Sequence, residues 1–395
     1  MPDTANPAPP FDVRALRERE FPSLDARPPY LNAASMAPLP VRARAACEAH
    51  LARRADVHAM RGDDFEPTLQ RARASAARLV NASPDEIALL PNTSYGINLA
   101  AQCLPIEEGR RIVVSDQEFP ANVYPWINVA MEGRARVDVV HTDGLGRPDE
   151  ARLLEEIARG DVGIFALSAV QFATGWNADL ARFGRACREH GTWFVVDGIQ
   201  ALGCVPVDVR EAEVDVLATA GHKWLCGPFG TGFAYVRREL VDRMEPRIVG
   251  WTAMEASADL TRCVDYRWEW VPTARRFEVG TQAWQDVAGF TAAVELLLET
   301  GIERIREHVF GLLDPLAGWL AEQEDATIVS DLAPGRRSGV FAFRLGDTDR
   351  AYATLHRAGV MCALREGSVR IAPHLYNTAE EIATVIEMLE RRDGW

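Results

Sequence analysis

Between Val162 and Ala218 the chain alternates short apolar runs with one amphipathic stretch, and this alternation constrains the fold more than any other feature. Val162–Val170 is almost unbroken apolar sequence. Asp179–His190 has helical spacing and stops at Gly191, and Trp193–Val196 is apolar again. Short apolar runs of this length are strands buried on both faces. A helix between two of them supplies the crossover that a parallel pair requires, and such crossovers are right-handed. A further, mostly apolar run, Val214–Ala218, extends the pattern. The first run ends at Gln171, the second at Asp197 and the third at Thr219-Ala220-Gly221-His222-Lys223. Open α/β sheets build their ligand sites at the carboxyl ends of such strands. The expected fold class is therefore α/β with a mostly parallel sheet.

Composition narrows the function classes. The 395 residues are enough for two domains with their own cores, and 48% apolar with 25% charged residues is ordinary for a globular protein. A net charge of −14 argues against nucleic acid or an anionic membrane as partner. No apolar run reaches membrane-spanning length, and the start of the chain lacks the pattern of a signal peptide. Its four prolines within ten residues read instead as a disordered lead-in. The seven cysteines are scattered singly without a CxxC pair, and the histidines lack HExxH spacing, so neither a zinc site nor a disulfide framework is expected. A reduced, cytoplasmic protein follows from that usage.

The remaining elements surround the 192–232 stretch. Helical spacing marks Phe11–Glu20, Val41–His58 and Thr68–Val80. Ser83-Pro84-Asp85-Glu86 has the N-cap, proline and acids of a helix start, before the apolar run Ile87–Leu90. Thr93 and Ser94 then open a helix directly after that run, where free backbone N–H groups, the helix dipole and two hydroxyls can meet a phosphate. Strands are expected at Arg111–Ser115 and Arg136–His141, and a helix at Pro148–Ala158. Gln171 and Asn177 either face a ligand or close a turn. The irregular segment from Val249 to Trp270 is rich in tryptophan, a pattern of substrate pockets, subunit contacts or plain core. Helices at about Gln282–Glu299 and Ile302–Glu322 lead to strands at Thr327–Ser330, Gly339–Leu345, Gly359–Ala363 and Ser368–Ala372, with helices at Asp349–Ala358 and Thr378–Arg391. That closing pattern is α+β.

The string from Asp197 to Gly232, DGxQ…GHKxxxGPxGxG, resembles the class V aminotransferase family of pyridoxal-phosphate enzymes, which includes cysteine desulfurases, kynureninase and isopenicillin N epimerase. The resemblance runs from about Tyr30 to Met388. It implies fold type I: a large α/β domain with a seven-stranded type of sheet and a small C-terminal α+β domain. The expected divisions are a lead-in at 1–29, the cofactor-binding domain at 30–282 and the small domain at 283–395. It implies that Lys223 carries pyridoxal 5'-phosphate as a Schiff base and moves the substrate's α-proton. Asp197 would pair with the pyridine nitrogen and Gln200 would reach the phenolic oxygen. Phe119, in Glu118-Phe119-Pro120-Ala121-Asn122, would stack on the ring, where desulfurases have His. Thr93, Ser94 and His222 would hold the phosphate, although Ala220 stands where the family often has Ser. Asn32, in Tyr30-Leu31-Asn32, would lie near the substrate, and Arg370 would clamp its α-carboxylate, with His374 and Asn377 at family positions. Arg276–Thr281 matches RFExGT, whose Thr281 would reach the phosphate of a second subunit, making a homodimer with composite sites.

The chemistry of these residue types agrees. A Schiff-base lysine must lose its proton to attack, which burial and cationic neighbours favour. An anion at the pyridine nitrogen keeps the ring an electron sink. A planar guanidinium suits bidentate capture of a carboxylate. The function expected is transamination or C–S lyase chemistry on an α-amino acid, of the isopenicillin-epimerase type. Cysteine desulfurase or selenocysteine lyase activity and epimerisation are the alternatives within the family. A cofactor-binding regulatory module is the non-enzymatic one, and it lacks room for a DNA-binding domain before Asn32. Only seven residues separate Cys362 from Arg370, too short for the mobile cysteine loop of a desulfurase, and Val360–Ala363 reads as a buried strand.

Overall fold

Buried apolar strands and side-chain caps lay out the computed structural model, which describes residues 11–60, 65–262 and 264–391. The proline-rich start and Cys263 lie outside the described residues. In chain order come helices α1 (Val13–Glu20), α2 (Val41–Ala55) and α3 (Phe65–Val80), strand β1 (Ile87–Leu89), α4 (Thr93–Cys103), β2 (Arg111–Ser115), α5 (Tyr124–Met131) and β3 (Arg136–Val140). Next are α6 (Glu150–Ala158), β4 (Val162–Ser168), α7 (Leu180–Glu189), β5 (Trp193–Asp197), β6 (Val216–Ala220), β7 (Gly232–Val236) and α8 (Arg238–Val241). The chain closes with α9 (Trp284–Thr300), α10 (Ile302–Ala321), β8 (Ala326–Ile328), β9 (Phe341–Leu345), α11 (Thr348–Arg357), β10 (Ala363–Arg365), β11 (Ser368–Ile371) and α12 (Ala379–Arg391). Asp12, Asp149, Asp179 and Asp347 each accept a backbone N–H at the start of a helix, fixing where α1, α6, α7 and α11 begin.

Seven strands form one sheet in the order β1-β7-β6-β5-β4-β2-β3. β6, β5, β4, β2 and β3 pair in parallel, and β7 runs antiparallel to both of its neighbours. Alternate residues of the central strands feed opposite cores. Ile164 and Ala166 face the side covered by α4 and α5, whereas Phe165 and Leu167 face the side covered by α7. The parallel α/β sheet expected from the sequence is therefore present, with helices on both faces. A second sheet, entirely antiparallel, has the order β10-β11-β9-β8.

Residues 30–33 run alongside this second sheet. Leu31 N–H donates to Met361 O (2.8 Å), Ala372 N–H to Leu31 O (2.7 Å) and Ala33 N–H to Ala372 O (3.0 Å). Ala37 N–H then donates to His222 O (2.9 Å), so one short segment stitches the end of β11 to the Lys223 loop.

Four local expectations change. Ser83 does make a capping box, but it starts a single 3-10 turn, Pro84–Glu86, because β1 follows at once. The strand expected at Gly359–Ala363 begins only at Ala363. Met361 instead bridges to Tyr30, after a left-handed Gly359 (φ 83°). β7 was not anticipated, since its sequence follows a glycine-rich loop. Gly232 is required there: a Cβ would lie 2.3 Å from Thr219 O of β6. α5 also escaped the spacing argument, because its proline sits in the first turn behind a 3-10 turn that blurs the periodicity.

Candidate active site

The site is assembled where β1, β2, β4, β5 and β6 end. Asp197 closes β5 and is almost fully buried, and its Oδ1 accepts the Ile199 N–H at 3.0 Å. Burial pushes the carboxyl up to about 6, while that hydrogen bond and the charge of Lys223 pull the other way. Lys223 follows β6 in a tight loop. Gly221 N–H donates to Thr231 O (2.7 Å), Gly227 N–H to Gly221 O (2.7 Å) and Cys226 N–H to Lys223 O (2.9 Å). Burial lowers the Lys223 ammonium to about 8; Asp197 opposes the shift, and Arg370 and Arg365 add repulsion. Its Nζ lies 5.5 Å from the centroid of the Phe119 ring.

Phe119 follows β2 and meets Phe172 edge-on, with centroids 5.4 Å apart and planes at 76°. Its segment is pinned by Glu118, a residue the sequence argument quoted without giving it a role. Glu118 is buried and accepts from Ser168 N–H (2.8 Å), from the Ser168 hydroxyl and from Asn122 Nδ2 (3.1 Å). Ser168 is in register with Asp197, so two buried carboxyls stand behind the same strand ends. Burial raises Glu118 to about 7 against the pull of those hydrogen bonds, and Asp197 raises it further.

At the start of α4 the Asn92 side chain accepts the Tyr95 N–H (2.9 Å). The N–H groups of Thr93 and Ser94 then have no acceptor within the helix. The Thr93 hydroxyl is buried without a hydrogen-bond partner, whereas Ser94 is exposed. His222 stacks on Phe229 with centroids 5.2 Å apart, and burial followed by the charge of Lys223 keeps its imidazole neutral-leaning. Gln200 is already committed on two sides: Nε2 donates to Ala34 O (3.0 Å) and Oε1 accepts from Trp224 Nε1 (2.9 Å). One amide hydrogen is left for a ligand oxygen.

Arg370 on β11 is buried. Its Nη1 donates to Phe172 O (2.8 Å) and Nη2 to Ser35 Oγ (2.7 Å), with Asn32 Oδ1 at 3.5 Å, while Nε has no partner. Among the described residues no carboxylate forms an ion pair with it. Burial, then the like charge of Arg365, disfavours the guanidinium, a cost that an anionic group held against it would offset. Ser35 and Phe172 were missed by sequence reasoning, although each lies within three residues of a quoted motif.

Other expected residues have structural duties. Gln171 closes a turn: Oε1 accepts from the Ala173 and Thr174 N–H groups (2.7 and 2.8 Å), and Nε2 donates to Gln117 O. Asn177 donates to Gly335 O (2.9 Å). His374 Nε2 meets Trp224 O (2.7 Å) and Asn377 Nδ2 donates to Tyr30 O (3.0 Å), which ties β11's exit to the Lys223 loop and the N-terminal segment. In the RFExGT match, Arg276 donates to Val271 O and Val241 O (2.9 and 2.8 Å). Glu278 accepts from Arg73 Nε and Nη2 (2.9 and 2.8 Å) and from the Leu89 N–H (3.0 Å). These buried anchors present Gly280 (φ 67°) and an exposed Thr281, which makes no hydrogen bond to Thr93, Ser94 or His222 of its own chain among the described residues.

The donor set fits a flat ring bearing a phosphate and a carbonyl carbon. It offers a buried acid, a half-exposed aromatic face, a low-pKa amine and an unpaired hydroxyl at a helix start. Among the described residues no group of three or more His, Cys, Asp or Glu side chains could hold a metal ion.

The chain is similar to known proteins over most of its length. The family described as Aminotransferase class-V matches residues 30–385. An aminotransferase of Bacillus subtilis (strain 168), YcbU, named as uncharacterized, is 29% identical over 331 residues, which is 83% of this chain and 85% of that protein. A protein of Methanothermobacter thermautotrophicus named "Probable cysteine desulfurase" is 30% identical over 346 residues, 82% of this chain and 84% of that protein. The solved structure of a C-DES variant, with glycine covalently linked to its PLP cofactor, superposes with a TM-score of 0.85. It is 23% identical and covers 94% of this chain and 98% of its own.

Proposed function

The chain belongs to the class-V aminotransferase family, and from that premise we propose that it is a pyridoxal-phosphate enzyme carrying out transamination or C–S lyase chemistry on an α-amino acid. The observation that carries this reading is the convergence of Lys223, Asp197 and Phe119 on one site, with Arg370, which has no carboxylate partner among the described residues, beside it. When bound, the cofactor supplies an electron sink for charge developing at the substrate's α-carbon. The protein does the rest. Lys223 Nζ would hold the cofactor until the substrate's amine displaces it, and the amine so freed, buried and of lowered pKa, would then move the α-proton near neutral pH. Asp197 holds the ring nitrogen, Gln200 the phenolic oxygen and Phe119 the ring face. Thr93, Ser94 and His222 hold the phosphate. Arg370 with Asn32 orients the α-carboxylate, so that the bond to be broken is aligned before chemistry begins.

C–S bond cleavage would proceed by β-elimination, without a persulfide on the protein. Cys362 is 5% exposed, and burial pushes its thiol up to about 12, so a nucleophilic thiolate is strongly disfavoured.

The active unit is a homodimer located in the cytoplasm. Ile248, Trp251, Leu260, Tyr266 and Trp268 are exposed in the segment that precedes Thr281, an apolar surface suited to a second copy. Thr281 of the partner subunit would then complete the phosphate site. Light scattering at assay concentration should give a dimer, and a cofactor-saturated, active monomer would refute it. The six described cysteines are free, in keeping with a reducing compartment. No helix among the described residues is long and apolar enough to cross a membrane.

We divide the chain into a large unit at 30–282, which contains the seven-stranded sheet, and a small one from 283, which contains the four-stranded sheet. The central experiment adds a panel of amino acids to cofactor-loaded protein and follows absorbance, keto-acid release and sulfide release together. Absence of any amino-acid-dependent spectral change would refute an enzyme of this class.

A further inference from the structure

Beside the substrate end lies a cavity of about 260 Å³ that the mechanism above does not use. Gln117, Gln171, Thr174, Arg344, Arg365 and Ser368 contribute to its wall. It adjoins the site through the chain itself: Gln117 is two residues before Phe119, and Gln171 precedes Phe172, whose carbonyl receives Arg370. Two guanidiniums face it. Arg344 Nε donates to Ser368 Oγ at 3.2 Å, and Arg365 Nη1 donates to Leu364 O at 2.8 Å. Among the described residues, neither arginine has a carboxylate within ion-pair distance.

Two acids also border the cavity and neutralise neither arginine. Asp143 is folded into its own turn, where Oδ1 accepts from the Leu145 and Arg147 N–H groups (2.8 and 2.9 Å). Glu366 sits at the β10–β11 hairpin tip, held at φ 45°. In a chain of net charge −14, most arginines of this protein find an acid, so a cavity with two unpaired ones is a place prepared for an anion. Arg365 is also close enough to both Lys223 and Arg370 to disfavour their charged forms. The cationic wall and the amino-acid site are thus electrostatically one region.

We propose that the Arg344–Arg365 cavity receives an acidic group carried on the substrate's side chain, so that the preferred substrates are α-amino acids with a second, distal carboxylate. This rests on Arg370 taking the α-carboxylate as proposed above. With Arg370 so engaged, Arg365 and Arg344 are the cations left for a second carboxylate. Neutral side chains would leave both arginines facing water without an anion, at no gain in binding.

The test compares acidic amino acids with their neutral amide isosteres, aspartate against asparagine and glutamate against glutamine. It uses cofactor-loaded parent enzyme and the variants Arg365→Gln, Arg365→Lys and Arg344→Gln. A charge-assisted contact predicts that kcat/KM favours the acid by roughly 10- to 100-fold in the parent. Arg365→Gln and Arg344→Gln should each lower that ratio by about tenfold, with Arg365→Lys retaining part of it. Arg365 is exposed, so its substitution does not threaten folding. A parent ratio at or below one, or a ratio unchanged in all three variants, would overturn the proposal while leaving the cofactor reading intact. Failure of the parent to take up pyridoxal phosphate on Lys223, read from absorbance and reductive trapping, would overturn the cofactor reading and this proposal with it.

Discussion

Gly96 offers a direct test of how packing behind the sheet sets the cofactor site. It lies on α4, two residues after Ser94. A Cβ added there would sit 2.6 Å from Ala218 Cβ, 3.4 Å from Leu90 Cδ1 and 3.5 Å from Ala218 Cα. Carbon atoms pack at roughly 3.5–4.0 Å, so about 1 Å of clearance is missing. Ala218 belongs to β6, which is clamped between β5 and β7, so the helix must move rather than the strand. The start of α4 moves with it, taking the Thr93 and Ser94 N–H groups outside the usual range of about 2.7–3.2 Å for a hydrogen bond to phosphate. Overpacking costs about 1–3 kcal/mol, and alanine regains about 1 kcal/mol of helix propensity, so Gly96→Ala should lower stability by only ~0–2 kcal/mol. Two weakened charge-assisted bonds are worth about 3 kcal/mol together, or roughly 100-fold in cofactor affinity. Cofactor titration followed by absorbance, beside urea unfolding of the cofactor-free protein, separates the two effects. Ala218→Gly in the Gly96→Ala background removes the clash and should restore most of the affinity. Parent-like cofactor affinity in Gly96→Ala, or no recovery in the double variant, would refute this account of α4.

Three further outcomes follow from the buried groups. Lys223 attacks only as the neutral amine, so the rate of covalent cofactor capture should rise with pH and level off above about 8, where the lowered pKa lies; Lys223→Ala should abolish capture and slow turnover by at least ~10⁴-fold, checked by borohydride trapping with peptide mapping. Glu278→Gln leaves the buried Arg73 with only the partly exposed Glu66 as its ionic partner and weakens the bond to Leu89 N–H, so a loss of about 3 kcal/mol, the low end for a broken buried pair, is expected in urea unfolding, where a loss under 1 kcal/mol would contradict the burial argument. Cys362→Ala should leave sulfide release from cysteine, where the enzyme shows it, within about twofold of the parent, because the buried thiol is protonated. A protein persulfide mapped to Cys362 would establish the desulfurase alternative instead.

The sequence by itself determined the parallel strands and the residues that end them. Apolar runs bounded by Gly, Asp and Pro signal buried strands wherever they occur, so the placement of Asp197 and Lys223 at or just past strand ends was legible without coordinates, whereas their expected roles came from the resemblance carried by the DGxQ…GHK string. The helices expected at Pro148–Ala158, Asp179–His190 and Asp349–Ala358 were equally local, and they begin within two residues of those positions, at Glu150, Leu180 and Thr348, since a cap is made within three residues. What tertiary structure alone decided is which distant pieces meet. Nothing local in Asn32 or Ser35 says that they will lie against Arg370; that follows from residues 30–33 pairing beside β11, across more than 300 residues of chain. Nor could spacing assign Gln171 and Asn177 to turns, or show that Glu118, Ser168 and Asn122 lock the Phe119 segment from behind. Position within the sheet was likewise hidden for β7, whose glycine-rich approach reads as loop until the close contact with Thr219 O is seen. Periodicity records which face of an element is buried, whereas the partner on that face is chosen by long-range pairing whose energy belongs to the whole sheet.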